Sequence, residues 1–563
     1  MSLHAVALVV MLYGTAPLVY SQGRYSWLYK TIGVVQYVNE HGQLNRHIDI
    51  YQNWPGFFAF AAWFGKAAGV ASPLSYAKWA QLAFELAALP LLYLIYDGLS
   101  LSLRQRWLAL LLYSAGNWIG QDYFSPQALG TVMSFGIMAL AMRWLYLADS
   151  RNDRRSSAPA SSRVSNPWLI CATIVGLYFV LTFTHELSPY ILVVQLGALA
   201  IGRLLRPRWL PIVLAAIAIG YLVPRFAFVN THYGVLKSIG NFFTNAEPPA
   251  FVAGNVTGSQ QIIERCAEIL SAGMWALAVL AIWLHRTSWR RVLGLALLAF
   301  SPVIVLAIQA YGQEGILRVY LFSLPWTVAL VASVLAPSAE PAAEPALTSA
   351  AGPPADAAAQ PPDGPPAGST TQPATEPAAR PAEDRGSPSG RRGLPHHRPS
   401  WDLVRGPLVL AVAIALFFPA FFGDDSLNRM TQAEVSSVAS FLDKASAGPV
   451  FATIDDAPLA FTARYNVFPL TGIFGSYSLM KKSPVTPAIA DRITNDALSQ
   501  THGKEPAYVL ITPSMIAYNQ AYRVTGTDSF AILVSALAHS SHWKLILNRG
   551  GTIIYEMSAQ AAS

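Results

Sequence analysis

The sequence predicts an α-helical polytopic membrane protein with a small α/β domain near its carboxyl end. Of its 563 residues, 53% are hydrophobic and only 12% are charged, about half the charged fraction of a soluble globular protein. The mean hydropathy is +0.37, even though the stretch around residue 370 is almost purely Pro, Ala and polar residues. These values exclude an ordinary cytosolic enzyme, a disordered hub and a secreted disulfide scaffold.

Long apolar stretches recur along the chain, and a membrane span needs about 20 predominantly apolar residues. The candidate spans are 3–20, 76–98, 107–120, 126–147, 167–184, 188–202, 209–228, 267–285, 292–310, 319–336 and 406–423. The stretch 54–69 is short for a span and contains Lys66, so an interfacial helix fits it better. We therefore expect about 11 transmembrane helices.

Arginine is concentrated in alternate loops, which gives the expected topology. The arginines follow the second, fourth, sixth, eighth and tenth spans: Arg104, Arg106, Arg143, Arg151, Arg154, Arg155, Arg163, Arg203, Arg206, Arg208, Arg286, Arg290, Arg291, Arg391, Arg392 and Arg398. By the positive-inside rule these loops are cytoplasmic, so we expect a multi-pass protein of the cell membrane with a cytoplasmic amino terminus. The runs also account for the net charge of +7. No basic helix or aromatic–basic module accompanies them, so no nucleic-acid partner is expected.

Composition divides the chain into four parts. Residues 1–336 form a transmembrane domain with a long first outer loop at 21–75, and 406–423 form the last transmembrane helix. Between them, 337–405 is a Pro/Ala-rich segment that cannot bury a core, which predicts a disordered cytoplasmic linker. Residues 424–563 become soluble in composition and predict an extracytoplasmic α/β domain. Its β-rich runs are 449–454, 508–512 and 544–555.

The first outer loop opens on an amphipathic helix that begins with Arg24 and includes Lys30. Its apolar positions recur at helical spacing and end before Gly42: Tyr25, Leu28, Tyr29, Ile32 and Val35. Aromatic and basic residues on one such helix favour a position along the membrane interface. The run that follows contains Asp49, Tyr51 and Trp54 before a Pro-Gly turn, which makes Asp49 a candidate functional acid.

Three short outer loops carry most of the remaining unusual polarity. Their candidate residues are Asp122, Tyr123 and Gln127 in the first, His185 and Glu186 in the second, and Glu314 and Arg318 in the third. Acids at the ends of spans are unfavourable unless they face a cavity or a partner. Helix capping explains the Ser-Pro pairs at 125–126 and 188–189, but it does not explain why these charged groups share one side. Glu314 and Arg318 also fit a purely structural ion pair.

Together these groups suggest one chemistry. Carboxylates can deprotonate an acceptor hydroxyl, basic residues suit a phosphate leaving group, and aromatic rings suit sugar faces and prenyl chains. The pattern predicts glycosyl transfer from a lipid phosphate to an acceptor outside the cell.

Four motifs carry a resemblance to a known family. They are Arg24-Tyr-Ser-Trp with Lys30 and Gly33, Asp49-Ile-Tyr with Trp54-Pro-Gly-Phe-Phe, Gln121-Asp-Tyr-Phe-Ser-Pro-Gln, and Glu314-Gly with Arg318-Val-Tyr-Leu-Phe. In these motifs the chain resembles actinobacterial multi-span proteins of the GT-C glycosyltransferase type, over nearly its whole length except the Pro-rich linker. The resemblance implies a helical membrane fold, a catalytic acid in the first outer loop, a polyprenyl-phosphate sugar donor and inversion at the anomeric carbon.

The chain departs from the family pattern at one position. Many GT-C enzymes have an acidic pair directly after the first span, where this sequence reads Ser21-Gln22-Gly23-Arg24. The base would then be Asp49 or an acid from another loop such as Asp122. Asp49 is the first choice, with Asp122 and Glu186 shaping or assisting the site. Arg24, Lys30 and Arg318 would hold the phosphate, while Tyr51, Trp54, Tyr123, Gln127, His185 and Glu314 would contact substrate.

Two other functions remain open at this point: a transporter or flippase of polyprenyl-linked sugars, and a non-catalytic scaffold for envelope assembly. Transporters tend to show paired repeats with polar groups at mid-membrane, whereas here the polar groups cluster at the outer ends of spans. The expected partners are a polyprenyl-phosphate-linked sugar, a glycan or glycolipid acceptor, and membrane lipid. No cofactor is required with certainty, and a divalent cation stays open.

Overall fold

The computed structural model describes residues 2–147, 166–247, 256–286, 289–309, 314–336, 401–452, 461–474 and 485–559. Linker residues 337–400, the segment 311–313 and four of the predicted cytoplasmic arginines between 151 and 163 lie outside these residues, whereas 401–405 belong to a helix. The helices of the first part are α1 Ser2–Val19, α2 Ser26–His41, α3 Gly56–Ala67, α4 Ala80–Gly98, α5 Leu103–Gly116, α6 Pro126–Leu140, α7 Pro167–Thr184, α8 Ser188–Ile201, α9 Leu210–Leu222, α10 Phe226–Tyr233, α11 Val235–Ser238, α12 Phe242–Ala246, α13 Gly258–Leu284, α14 Trp289–Phe300, α15 Gly315–Leu335 and α16 Trp401–Phe422.

Each of the eleven predicted spans coincides with a helix in the described part of the chain. There, eight helical segments are long and apolar enough to cross a membrane. The other three are too short for a full span. α5 and α8 have 14 residues each, and Val292–Ala307 has fewer than 18. α5 stops short because Asn117 begins the polar loop that carries Asp122. The polytopic helical architecture is confirmed, with eight rather than eleven full-length spans.

Helix α15 lies at the centre of the bundle. Within its apolar window 89% of the residues are buried inside the protein, and it packs against α5, α13 and α14. Tyr320 of α15 donates a hydrogen bond to the Gly116 carbonyl at the end of α5 (2.9 Å). The side chain of Arg318 therefore starts from the most enclosed helix of the fold.

The two ends of the bundle differ in character. At one end, which we call the basic end, Arg106 and Arg143 both pair with Asp97. Leu147 also donates its N–H to the Leu204 carbonyl there (2.9 Å). The opposite end, which we call the loop end, carries the long loop 20–79, the short loops 117–125 and 185–187, and the carboxyl-terminal domain.

The carboxyl-terminal domain consists of five helices around a mixed sheet, which confirms the predicted α/β domain. The helices are α17 Asp425–Asn428, α18 Gln432–Lys444, α19 Ile489–Thr501, α20 Pro513–Tyr522 and α21 Ser529–His539, and the strands are β1 Val450–Ala452, β2 Leu470–Gly472, β3 Ala507–Ile511, β4 Lys544–Arg549 and β5 Thr552–Met557. The strand order is β2-β1-β3-β5-β4. β1 runs parallel to β2 and β3, and β5 runs antiparallel to β3 and β4.

The run 544–555 is a hairpin rather than one strand. Gly550 and Gly551 separate β4 from β5 with φ of +59° and +79°, values that residues without a Cβ adopt readily. The Gly-Gly pair inside the run is itself a hairpin signal in the sequence. The two shorter predicted runs coincide with β1 and β3.

Helix α2 differs from expectation in what covers its apolar face. The helix spans the predicted residues and ends at Gly42, whose φ of +65° and N–H bond to the Val38 carbonyl form a left-handed cap. Its apolar residues, however, are buried in one core with the carboxyl-terminal domain. The Tyr29 ring, for example, meets Phe461 edge-on at 5.8 Å. This face packs on protein rather than on lipid, and the position of the helix along the membrane interface stays a prediction.

Candidate functional site at the loop end

A pair of buried carboxyls lies where α4 meets the loop after α5. Glu85 of α4 and Asp122 of the loop are 2% and 8% exposed and are hydrogen-bonded to each other. Asn117 donates to Glu85 Oε1 (2.7 Å), and Gln81 donates to Asp122 Oδ1 (2.5 Å). Beyond the pair itself, Glu85 Oε2 and Asp122 Oδ2 are buried with no hydrogen-bond partner.

The environment of Asp122 makes it a stronger base than an ordinary aspartate. Burial raises the pKa of Asp122 to about 6, and the hydrogen bonds from Glu85 and Gln81 lower it in part. A general base works best with a pKa near the operating pH. Asp122 and Glu85 both line a small cavity of about 20 Å³, together with Asn117, Gln121 and Thr131.

The loop that carries Asp122 is held against the first outer loop by aromatic contacts. Gly120 has a φ of +70°, and a Cβ built at this residue would lie 2.4 Å from the Tyr25 hydroxyl. Only glycine fits this approach. Two residues further on, the Tyr123 ring packs on the Tyr25 ring with centroids 5.6 Å apart.

Arg318 ties the third predicted loop to the first. Its Nη1 donates to the side-chain oxygens of Gln121 and Gln127, each at 2.8 Å, and its Nη2 pairs with Glu314 Oε2 at 2.5 Å. The guanidinium also acts electrostatically on Tyr123. Arg318 and Glu314 do form an ion pair, but the arginine additionally joins α15, α6 and the Asp122 loop.

His185 and Glu186 lie beside this network. Burial lowers the pKa of His185, while Glu186 acts in the opposite direction. Nδ1 of His185 accepts the Ser188 N–H (3.1 Å) and so caps α8. The proton of the neutral ring is therefore on Nε2, which lies 3.7 Å from Glu186 Oε2.

Tyr51 connects the first outer loop to these groups electrostatically. Burial raises its pKa first, and Tyr123, Glu186 and Asp49 raise it further, which places all three within electrostatic reach of its hydroxyl. Trp54 has a different position: it is 3% exposed, and its ring packs edge-on against Tyr221 at 5.8 Å. Trp54 therefore packs the first outer loop against Tyr221 of α9 and is not among the residues that line the cavity.

Asp49 and Lys30 form a second charged centre with the carboxyl-terminal domain. Lys30 Nζ lies 3.1 Å from Asp49 Oδ2 and 4.0 Å from the centre of the Tyr465 ring. Gln52 donates its N–H to Asp49 Oδ1 (3.1 Å) and its amide Nε2–H to the Tyr465 hydroxyl (3.0 Å). Burial lowers the pKa of Lys30, and Asp49 offsets part of that effect.

Arg24 is buried where α1 leads into the loop. Its Nη2 pairs with Asp425 (2.6 Å) and donates to the Phe421 carbonyl (2.7 Å). Nε and Nη1 are buried with no hydrogen-bond partner. Arg24 lines a second small cavity, of about 20 Å³, together with Lys78, Gln22 and Gln81. The arginine thus joins the transmembrane part to the carboxyl-terminal domain and keeps two donors at a cavity.

Four residues of the site were not anticipated from the sequence: Glu85, Gln81, Lys78 and Tyr465. Glu85 did carry a signal, since it is an acid inside an apolar span. Tyr465 carried none, because nothing in its local sequence links it to Asp49. As for a metal, the described residues contain no group of three or more His, Cys, Asp or Glu side chains suited to hold one.

No protein-family model matches the chain, and no curated protein sequence matches it. Among solved structures, the chain resembles the oligosaccharyltransferase of Archaeoglobus fulgidus, which was crystallised tethered to an acceptor peptide. The two share 11% identity with a TM-score of 0.50, over 99% of this chain and 73% of the other. ArnT from Cupriavidus metallidurans in its apo state aligns over 98% of both chains with 12% identity and a TM-score of 0.45. The likeness to the oligosaccharyltransferase confirms the GT-C fold expected from the sequence motifs.

Proposed function

We propose that the protein is a membrane glycosyltransferase that moves a sugar from a polyprenyl-phosphate donor to a glycan or glycolipid acceptor of the cell envelope. The observation that carries the proposal is the buried Glu85–Asp122 pair beside a cavity, at the end of a GT-C fold where the predicted polar loops converge. The basic end of the bundle then faces the cytoplasm by the positive-inside rule. The loop end and the carboxyl-terminal domain are extracytoplasmic.

Asp122 is the favoured base because of what surrounds it. Asp49 is held by Lys30 and by the Gln52 backbone, an arrangement that stabilises a loop. Asp122 instead has a pKa raised to about 6 and a carboxylate that lines the cavity. A carboxylate oxygen can accept more than one hydrogen bond, so Asp122 can bind an acceptor hydroxyl while it keeps its bonds to Glu85 and Gln81.

In the proposed reaction Asp122 takes the proton of the acceptor hydroxyl as that oxygen attacks the anomeric carbon of the donor. The bond between this carbon and the phosphate oxygen breaks, and the phosphate leaves with the electron pair. One attack from the face opposite the leaving group inverts the anomeric carbon. The products are the glycosylated acceptor and the free polyprenyl phosphate.

We place the leaving phosphate at the second cavity, which Gln81 also lines and which must widen to admit it. Arg24 supplies two buried donors without partners there, and Lys78 supplies a second cation. Charge-assisted hydrogen bonds to phosphate are about twice as strong as neutral ones. The wall of this cavity that includes Ala16, Pro17 and Leu28 is apolar, as the first units of a prenyl chain require.

The test uses the purified full-length chain in detergent with a panel of polyprenyl-phosphate sugars and an envelope glycan extract. We expect one donor to release polyprenyl phosphate. Loss of a general base lowers the rate about 10²–10⁴-fold, so Asp122→Asn should lose turnover to this extent. Asp49→Asn should retain more activity than Asp122→Asn, because its carboxylate stabilises the loop.

Asp97→Asn is the matched control, because it alters an aspartate of the same bundle at the opposite end. Its turnover should equal that of the unmodified protein. Release of no polyprenyl phosphate from any donor would contradict the proposed transfer. Full activity of Asp122→Asn together with loss in Asp49→Asn would move the base to Asp49.

A further inference from the structure

Glu85 is an acid inside a membrane-spanning helix. It lies in the segment Ala77–Gly98, which is long and apolar enough to cross a membrane, and it is 2% exposed. No cation of the described residues pairs with its carboxyl: Oε1 accepts from Asn117, and Oε2 has no partner among them other than Asp122. Ionised side chains at such depth are unfavourable unless they are paired or face water.

The contact between the two carboxyls requires a proton. A carboxylate can only accept hydrogen bonds, so two ionised carboxyls cannot bond to each other. Two like charges at this distance in a low-dielectric site do not both ionise. The two otherwise partnerless oxygens, Glu85 Oε2 and Asp122 Oδ2, become mutually satisfied when one carboxyl of the pair carries a proton.

Placement decides which carboxyl carries it. Glu85 is within the span, where a charge is hardest to hold, whereas Asp122 belongs to the loop beyond the end of α5. Asp122 also accepts a second hydrogen bond, from Gln81, which favours its ionised form. Arg24 acts on Asp122 in the same sense.

We propose that Glu85 is a positioning residue that stays protonated and donates a hydrogen bond to Asp122, holding Asp122 as the ionised carboxylate that lines the neighbouring cavity. The inference rests on the proposed function only for the role of Asp122 as the base. The proton itself is a property of the folded chain. Glu85 takes no part in the bonds that form and break.

The other groups around the pair leave this assignment in place. Tyr13 of α1 and Tyr113 of α5 are within electrostatic reach of both carboxyls, and Tyr25 is within reach of Asp122. Burial raises the pKa of Tyr25 to about 12, so it stays neutral in the range where Asp122 titrates. Arg24 is the one cation that acts on Asp122 directly among these described neighbours.

The first arm of the test reads the proton without turnover. Difference infrared spectroscopy of the purified full chain above neutral pH should show a protonated-carboxyl C=O band. The band should disappear in Glu85→Gln, persist in Asp122→Asn and persist in the control Glu268→Gln, which alters an exposed acid on α13. A wild-type protein without the band, or a band that survives Glu85→Gln, would overturn the proposal even if the protein is an active transferase.

The second arm uses the pH profile of turnover with the donor found active. Gln at position 85 preserves both contacts, because its amide can donate to Asp122 and its oxygen can accept from Asn117. Glu85→Gln should therefore keep turnover and the acidic limb of the profile. Glu85→Leu removes the donor, and loss of a hydrogen bond to a charged group should move that limb upward by about one to two pH units.

Loss of turnover in Glu85→Gln would overturn the positioning role, since an ionised Glu85 would then be needed for the reaction. An unchanged limb in a folded Glu85→Leu would overturn it as well. Failure of the proposed function is distinct from both: no donor would turn over, while the infrared band would still report the proton on Glu85.

Discussion

Two aspartates at opposite ends of the bundle show how the same side chain is used in different ways. Asp97 at the basic end is 31% exposed and is paired with Arg106 and Arg143. Asp122 at the loop end is buried, and its contacts are another carboxyl and an amide. Exposed ion pairs contribute little to stability. A buried acid without a paired cation has a perturbed pKa, which is typical of functional sites.

The contrast extends to the basic residues. Arg143 at the basic end is 36% exposed, while Arg24 at the loop end is 5% exposed with two donors that have no hydrogen-bond partner. Burial of charge without full pairing is therefore a property of the loop end among the residues described. The predictions below test whether this difference reflects stability, chemistry or both.

The largest effect on stability is expected at Arg24. Arg24→Met removes one member of a buried pair, which costs about 3–5 kcal/mol in such cases. Asp425 is left with the Tyr20 hydroxyl and the electrostatic effect of Arg429. Thermal unfolding in detergent should show a clear loss of stability. Adding Asp425→Leu to Arg24→Met should recover most of it, because the buried charge is then gone. If Arg24→Met alone were as stable as the wild type, the ion pair at the loop end would contribute as little to stability as the exposed pairs at the basic end.

The next largest effect is expected in the pH dependence of turnover, which should follow the titration of Asp122 and not that of Asp97. Asp122 must be deprotonated to act as a base, and its pKa is raised to about 6. Activity should thus be full above that pH and fall about tenfold per pH unit below it. The sign follows from burial, which favours the neutral acid. A profile that stays flat well below pH 6 would contradict Asp122 as the base.

A smaller effect is expected at Tyr465, the contribution of the carboxyl-terminal domain. Tyr465→Phe keeps the ring over Lys30 but removes the hydroxyl that accepts from Gln52. Loss of one such hydrogen bond is worth about 0.5–1.5 kcal/mol, so we expect a severalfold rise in KM with kcat little changed. Tyr465→Leu, which also removes the ring, is the matched comparison. Equal behaviour of the two variants would assign the effect to the hydroxyl alone.

The smallest effect is expected at the basic end. Asp97→Asn breaks two partly exposed ion pairs, which contribute about 0–1 kcal/mol each, and it should leave turnover unchanged. The measurement is thermal unfolding at low and high salt, where the difference between wild type and variant should shrink as salt rises. A loss as large as that of Arg24→Met would remove the contrast between the two ends.

Much of the fold followed from local pattern. Apolar length and arginine placement were sufficient for the helical membrane architecture, because a span must satisfy its backbone within itself. The helix from Ser26 and its end at Gly42 followed from periodicity and a stop signal. The run 544–555 was identified as β-rich without a division into strands, although the Gly-Gly pair at 550–551 carries the turn signal.

The candidate site was predictable only in part. Asp122, Gln127, His185, Glu186, Glu314 and Arg318 were found because polarity is unusual at the ends of spans. What each of them contacts was not: Asp49 pairs with Lys30 and lies beside Tyr465, and Arg24 pairs with Asp425. These partners are far apart along the chain, and no local pattern connects them.

The sequence by itself determined that this chain is a helical membrane protein and on which end of its bundle the polar motifs gather. Those properties depend on hydrophobicity and charge summed over short windows, which neighbouring residues decide. Only the tertiary structure decided that Glu85 meets Asp122 and that the α/β domain covers Lys30. Burial and pairing arise between segments distant in sequence, and they decide which acid is stabilised and which can act as a base.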